Sequence, residues 1–313
     1  MPFTAKSGKF SASINTLTVG TGDKAITLGG ENVLPFYTFD APIENAPKVG
    51  IEITDGGMAE EPECVQKYYE GCETVADMAK KAATFEGVDF LSLRLEGGDP
   101  NGENKPTEEL IQIVKDVAAV VDLPLVICGC KNVEKDAELL SKAAEALDGK
   151  NAVMLAAKEE NYKTVGAAAG LAYKQVVGAE SADDINLAKQ LNVLMTQLGV
   201  DAKAIVMNVG TAAAGYGFEY VVSTMDRIKA AALSQGDATL QMPIITPVAS
   251  ETWGVKEAVA SEEDMPEWGP AEERGIDMEV ETAVADLASG ANAVILKHPE
   301  SVATVSKLIK ALV

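Results

Sequence analysis

The sequence predicts a closed (β/α)8 TIM barrel with an N-terminal β-hairpin extension. Eight short apolar strands follow one another, and a segment of helical length comes after each. Near-continuous runs of Val, Ile, Leu and Met are typical of strands buried on both faces, as in a parallel sheet. Eight such units take about 250 residues, which fits residues 49–313. Barrels of this kind carry their sites at the C-terminal strand ends, so the fold indicates where to look for chemistry but not which chemistry.

The strands and helices are expected in strict alternation. The strands are predicted at Val49–Thr54, Phe90–Leu95, Leu125–Cys128, Ala152–Ala156, Gln175–Gly178, Ala204–Asn208, Pro243–Val248 and Ala293–Lys297. The helices are predicted at residues 73–85, 108–121, 133–147, 162–172, 185–198, 218–233, 277–288 and 300–312. Thr107 is expected to cap the second helix, and Pro299 suits the first turn of the last one.

Residues 1–48 lack the strand–helix repeat of the rest of the chain. An alternating segment over residues 10–19, a turn over 20–24 and a short strand over 25–28 predict a β-hairpin. Three prolines then punctuate an extended stretch. We therefore expect a hairpin and extended arm over residues 1–48 and the barrel over 49–313. The hairpin either covers the bottom of the barrel or belongs to an arm that reaches a partner chain.

Composition restricts the classes of partner. The net charge is −22 and the isoelectric point about 4.4, which disfavours nucleic acid and anionic membrane surfaces. The charge serves either solubility or an acidic docking surface for a basic partner. No apolar run reaches the ~20 residues of a membrane span, and the N-terminus lacks the pattern of a secretory signal. We expect a cytoplasmic protein.

Metal binding by this chain alone is not expected. The four cysteines, Cys64, Cys72, Cys128 and Cys130, are spaced Cx7C and CxC. Neither spacing is the CxxC pair common in zinc and iron–sulfur sites. His298 is the single histidine, so a His-rich zinc site cannot be built and a His-based triad would need that residue.

Two segments at the predicted C-terminal face carry the candidate functional residues. The loop from Gly210 to Gly217 has little side-chain bulk, so its backbone could lie against a large flat ligand. The connection from Val248 to about Gly275 is unusually long for a barrel loop. It contains both tryptophans and is rich in acidic residues. Loops of that length are usually functional or disordered, and aromatics among charges favour a recognition segment.

Six segments together resemble one protein family. They are KVGIEITD, DFLSLRLEGGDPNG, LPLVICGCKNVEKD, NAVMLAAKEENYKTV, IVMNVGTAAAGYGFEY and PIITPVASETWGVKEA. With the N-terminal hairpin, they resemble the small subunit of the corrinoid iron–sulfur protein, which is the delta subunit of acetyl-CoA decarbonylase/synthase. The resemblance covers essentially the whole chain, although no single segment is a catalytic signature.

The resemblance implies a methyl carrier without independent catalysis. In that family the small barrel pairs with a large subunit that brings a 4Fe–4S cluster and a corrinoid-binding domain. The cobamide lies at the interface and faces the top of the small barrel. It accepts methyl from methyltetrahydrofolate through a separate methyltransferase and delivers it to acetyl-CoA synthase in the reductive acetyl-CoA pathway. Lys297-His298-Pro299-Glu300 does not match the DxHxxG of histidine-ligated corrinoid proteins, so no cobalt ligand is expected here.

A flat corrin needs apolar or backbone surface with a few donors for its amide side chains. Position at the strand ends suggests which residues provide them: Asn208, Gly210, Thr211, Gly215, Tyr216, Glu251, Thr252 and Trp253. Two alternatives stay open. One is a pterin-dependent methyltransferase-like enzyme, for which Asp55, Glu96, Asn161 and Asn208 are available. The other is a barrel that holds the large subunit without touching the cofactor.

Overall fold

The barrel expected from the strand pattern is confirmed. The computed structural model describes residues 6–313 and contains ten strands. They are β1 (Leu17–Val19), β2 (Ile26–Leu28), β3 (Lys48–Thr54), β4 (Phe90–Arg94), β5 (Leu125–Cys128), β6 (Val153–Ala157), β7 (Val176–Glu180), β8 (Ile205–Asn208), β9 (Ile245–Thr246) and β10 (Ala293–Leu296).

Strands β3 to β10 form one parallel sheet of eight strands. Their order is β8-β7-β6-β5-β4-β3-β10-β9, and a single parallel bridge between Met207 and Ile244 joins the two ends. The sheet is therefore a nearly closed barrel. Its weakest seam lies beside β9, where the predicted strand Pro243–Val248 contributes only two ladder residues because a helix begins at Val248.

Helices surround the sheet. They are α1 (Glu63–Gln66), α2 (Val75–Ala82), α3 (Thr107–Val120), α4 (Val133–Ala146), α5 (Tyr162–Val165), α6 (Ile185–Leu198), α7 (Phe218–Ser234), α8 (Val248–Thr252), α9 (Lys256–Val259), α10 (Ala271–Ser289) and α11 (Pro299–Leu312). A π-type turn continues α5 through Gly166–Ala172. No helix within residues 6–313 combines the length and the apolar character needed to cross a membrane.

Four helix starts differ from the prediction, by one residue at α3 and α11, by two residues at α2 and by six at α10. Thr107 is the first residue of α3 rather than its cap, and the capping position is taken by Pro106, which offers no side-chain acceptor. The prediction for Thr107 was therefore wrong. Helix α10 begins at Ala271, six residues before the predicted start, so part of the long acidic connection is helical. Short helices α8 and α9 also lie in that connection, so much of it has regular secondary structure.

Along most strands of the barrel, side chains alternate between two hydrophobic clusters. On β4, for example, Leu91 and Leu93 face the surrounding helices, whereas Phe90 faces the barrel interior. Gly50 lies beside the Phe90 ring, and a Cβ there would come within 2.2 Å of it. The interior is thus packed solid near the N-terminal end of the barrel, as this fold requires.

The N-terminal hairpin seals that end. Strands β1 and β2 pair antiparallel, and Leu17, Val19 and Leu28 belong to the same cluster as the barrel interior. The backbone amide of Gly20 donates to the carbonyl of Asn151 at 2.8 Å, just before β6. The predicted hairpin is confirmed and it covers the bottom of the barrel. The division of the chain at residue 48 stays a prediction.

Candidate functional site

Charged and polar side chains replace the apolar packing at the C-terminal end of the barrel. The central contact is a buried ion pair in which the Arg94 guanidinium donates to one carboxylate oxygen of Glu52, from Nε at 3.1 Å and from Nη2 at 2.9 Å. Lys297 at the end of β10 donates to Glu61 at 2.5 Å. Glu52, Arg94 and Lys297 lie in or directly after strands that are otherwise apolar, and Glu61 lies in the connection after β3. All four are buried, so each charge needs its partner.

Two cavities open at this end, which we call the mouth of the barrel. The first has a volume of about 230 Å³ and is bordered by Arg94, Cys128, Leu155 and Asn208 among others. The second, of about 350 Å³, is bordered by Glu52, Glu96 and Trp253. Arg94, Gly129, Lys131 and Ser250 border both cavities. The mouth is therefore one depression divided in two.

The divider is a salt bridge across the mouth. Lys131, in the loop after β5, donates to Glu251 of α8 at 3.0 Å. Because β5 and β9 lie four places apart in the ring of eight strands, this pair spans the mouth between opposite sides. Both side chains are more than a third exposed, so this ion pair contributes little to the stability of the protein. A second rim pair joins Lys158 to Glu180 at 3.0 Å.

The buried pair stays ionised. Burial opposes the charge on Glu52, but the nearby positive charges, chiefly Arg94, hold the pKa of its carboxyl below the usual value. Burial likewise opposes the charge on Arg94, while Glu52 keeps its pKa raised. Burial raises the pKa of the Cys128 thiol to about 11, so this thiol is protonated and unreactive at neutral pH.

Four of the eight predicted contact residues border the first cavity: Asn208, Gly210, Thr211 and Glu251. Asn208 is almost fully buried, and its Oδ1 accepts a hydrogen bond from the backbone amide of Gly210 at 3.1 Å. Gly210 has φ +84°, a conformation that favours glycine. The asparagine thereby fixes the turn that starts the glycine-rich loop.

Thr211 is turned towards helix α10. Its hydroxyl donates to Asp286 at 2.8 Å, and the backbone amide of Ala214 donates to Thr282 at 3.0 Å. These two bonds fasten the glycine-rich loop to α10. Burial raises the pKa of Asp286 to about 7 against the lowering effect of its bond to Thr211.

Gly215 and Tyr216 lie outside the mouth. Gly215 borders an open surface groove between α7 and α10, and Tyr216 is half-exposed with its hydroxyl donating to Glu257. Neither residue borders the two mouth cavities. Their contact with a cofactor remains a prediction, and this geometry does not support it.

Of the two neighbouring residues Thr252 and Trp253, only Trp253 borders a mouth cavity. Thr252 is fully buried, so its hydroxyl is closed to a ligand in this structure. Trp253 borders the second cavity and stacks on the imidazole of His298, with ring centroids 6.0 Å apart and planes at 17°. Its ring passes over Gly275 of α10, where a Cβ would meet it at 2.4 Å. The tryptophan thus fastens the long connection to the barrel.

His298 is enclosed beneath that tryptophan. It has no solvent exposure, its Nδ1 accepts from the backbone amide of Glu300, and its Nε2 lies 3.2 Å from Glu272. Burial lowers the pKa of the imidazole, which is therefore neutral at pH 7. Within residues 6–313, no group of three His, Cys, Asp or Glu side chains is arranged to hold a metal ion.

The predicted residues did not include the most buried charges of the mouth. Arg94, Glu52 and Lys297 sit inside the apolar segments FLSLRL, VGIEIT and AVILK. A single charged residue in a strand buried on both faces is itself a signal, because burying a charge without a partner is costly. That signal was available in the sequence, but the pairing of Glu52 with Arg94 required the neighbouring strands β3 and β4.

Comparison with solved structures places the fold among known barrels. Dihydropteroate synthase from Xanthomonas albilineans superposes with a TM-score of 0.58 at 14% identity, over 95% of this chain and 98% of that one. Dihydropteroate synthase from Yersinia pestis superposes with a TM-score of 0.54 at 11% identity, over 85% of this chain and 92% of that one. At such low identity the likeness shows the fold alone, a barrel of the dihydropteroate synthase type.

Comparison of sequences identifies the family. The model of the CO dehydrogenase/acetyl-CoA synthase delta subunit matches residues 16–305. Similar curated proteins are the acetyl-CoA decarbonylase/synthase complex subunit delta of Archaeoglobus fulgidus, 34% identical, and subunit delta 1 of Methanosarcina thermophila, 33% identical. Each alignment covers 94% of this chain, and the chain spans 65% and 67% of those relatives. The chain belongs to the CO dehydrogenase/acetyl-CoA synthase delta subunit family.

Proposed function

We propose that this chain is the small subunit of a heterodimeric corrinoid methyl carrier. It pairs with a large subunit that holds a corrinoid domain and a 4Fe–4S cluster, and its barrel mouth caps the cobamide. The carrier takes methyl from methyltetrahydrofolate through a separate methyltransferase and delivers it to acetyl-CoA synthase. The observation that carries the proposal is the family match over residues 16–305. The geometry of the mouth is compatible with the proposed role.

The mouth suits a ligand that lies across it. Its two cavities measure about 230 and 350 Å³, which lie below and near the lower end of the range of about 300–1,000 Å³ for pockets that enclose a drug-sized ligand. A corrin macrocycle with its side chains would therefore rest on the rim, and only peripheral groups would enter. Arg94, Asn208 and Glu251 are placed to meet those groups.

The cobamide supplies the metal that carries the methyl group, and this chain supplies shape and polarity. Its histidine is enclosed under Trp253, so we propose that any protein ligand to cobalt comes from elsewhere. The rim cations Lys131 and Lys158 are already paired with carboxylates. The mouth thus offers the bound group a polar cover in which carboxyl side chains outnumber cations.

The test is anoxic purification from the native source, followed by a visible absorption spectrum and a mass profile. A colourless chain that copurifies with an equimolar larger subunit carrying corrinoid and cluster absorption supports the proposal. A stable homo-oligomer without such a partner contradicts it. Turnover of methyltetrahydrofolate by the chain alone would establish a pterin-dependent methyltransferase instead.

A further inference from the structure

Two residues that border the first mouth cavity, Arg94 and Asn208, each keep a hydrogen-bond donor without a protein acceptor. Arg94 uses Nε and Nη2 on Glu52, and Asn208 uses Oδ1 on the amide of Gly210. Among residues 6–313, no hydrogen bond uses Nη1 of Arg94 or Nδ2 of Asn208. Both residues border the cavity, and they are 7% and 4% exposed.

The orientation of each donor is fixed. Because Oδ1 of Asn208 accepts from Gly210, its NH₂ group must point the other way, and that group can only donate. The two bonds to Glu52 likewise hold the guanidinium plane of Arg94, which has no acceptor atom. Strands β4 and β8 lie four places apart in the ring, so the donors enter from opposite sides.

The charges around the cavity select among acceptors. Glu52 neutralises Arg94, Glu180 neutralises Lys158, and Glu251 neutralises Lys131. No net positive charge is left to offset the desolvation of an anion. Asp136 adds one more carboxyl at the edge of this cavity. Preorganised donors in a buried setting without net positive charge favour a neutral oxygen acceptor over a carboxylate or a phosphate.

We infer that Arg94 and Asn208 form a binding site for a carboxamide oxygen of the ligand that the mouth receives. The inference rests on the proposed function, because a corrin carries carboxamide side chains around its edge. It goes further by naming the group recognised and the residues that recognise it. Asn208 is then a specificity-determining residue, since its NH₂ donor rejects ligands that present a donor there.

The matched variants are Asn208→Asp and Asn132→Asp. Asn208→Asp keeps an acceptor for Gly210 but replaces the free donor with a second acceptor. Asn132 caps α4 with the same kind of bond, accepting from the amide of Lys135 at 3.0 Å, and it borders neither mouth cavity. Asn208→Leu removes the donor without adding a charge, in case the new carboxylate disturbs folding. Circular dichroism checks the fold of each variant.

The experiment is a visible-absorption titration of the full chain, alone and with its copurified partner, with dicyanocobinamide. Loss of one hydrogen bond to a buried group predicts about tenfold weaker binding or more for both Asn208 variants. Asn132→Asp should bind as the wild type does. Equal binding by all the variants overturns the inference and leaves the proposed function intact, whereas absence of binding by the wild type overturns both.

Competition with small molecules identifies the acceptor. Acetamide should displace the corrinoid from the wild-type protein at lower concentration than acetate does. If acetate competes and acetamide does not, the cavity is a carboxylate site and the inference is overturned.

Discussion

Protonation of Asp286 should control how the stability of the barrel depends on pH. This carboxyl is fully buried in α10, where it accepts from Thr211, and burial raises its pKa from 3.8 to about 7. In the unfolded chain it ionises near pH 3.8. Between these two values the folded protein keeps the proton and the unfolded chain releases it, so stability falls as the pH rises from about 4 to about 7.

The size of the effect follows from the two pKa values. Each pH unit between them corresponds to about 1.4 kcal/mol, so the full loss is about 4 kcal/mol. Asp286→Asn removes this titration while the amide oxygen still accepts from Thr211. The free energy of unfolding of the variant, relative to wild type, should therefore rise by about 4 kcal/mol between pH 4 and pH 8. Below pH 4 the difference should be constant.

The assay is urea unfolding at a series of pH values, followed by tryptophan fluorescence. Trp253 packs over α10 and Trp268 lies just before it, so both report on this region. Asp277→Asn is the matched control, because Asp277 is exposed on the same helix. A relative stability that stays flat within about 1 kcal/mol from pH 4 to pH 8 would refute the reasoning, as would an equal response of the control.

Three further substitutions test the packing, each by the urea midpoint against wild type. Gly50→Ala should destabilise by about 1–3 kcal/mol because the new methyl group meets the ring of Phe90; an unchanged midpoint would mean that the ring moves aside freely. Glu52→Gln should cost about 3–5 kcal/mol because it leaves Arg94 buried without a counter-charge, and a loss below 1 kcal/mol would contradict that pairing. Leu28→Ala should cost about 2–5 kcal/mol if the hairpin truly seals the barrel, whereas a neutral result would show that the hairpin is dispensable.

The fold could be predicted because the apolar pattern of a buried strand can be recognised within a few consecutive residues. Runs such as LVIC and AVILK cannot present an alternating polar face, so a sheet covered on both sides follows from the sequence alone. The boundary at β9 could not be predicted. Pro243–Val248 has the composition of a strand, but the chain turns into α8 at Val248, and only packing decides where that turn falls.

The candidate site was predicted only in part. Residues at or directly after a strand end, such as Asn208 and Gly210, do border the mouth, since the ends of parallel strands meet at one edge. For residues further along the loops the outcome is mixed, because loop direction depends on tertiary contacts: Glu251 and Trp253 border the mouth, whereas others do not. Tyr216 turns outward to Glu257, for example, and Thr252 turns into the protein.

The sequence by itself determined the number and order of the strands, the acidic surface and the family to which the chain belongs. Tertiary structure alone decided which charges pair and which donors stay free. Glu52 and Arg94 are 42 positions apart, and Lys131 and Glu251 are 120 apart. Local patterns extend over a few residues, whereas the mouth is assembled by closing a sheet between strands that are remote in the chain. The two free donors of Arg94 and Asn208 exist only after that closure.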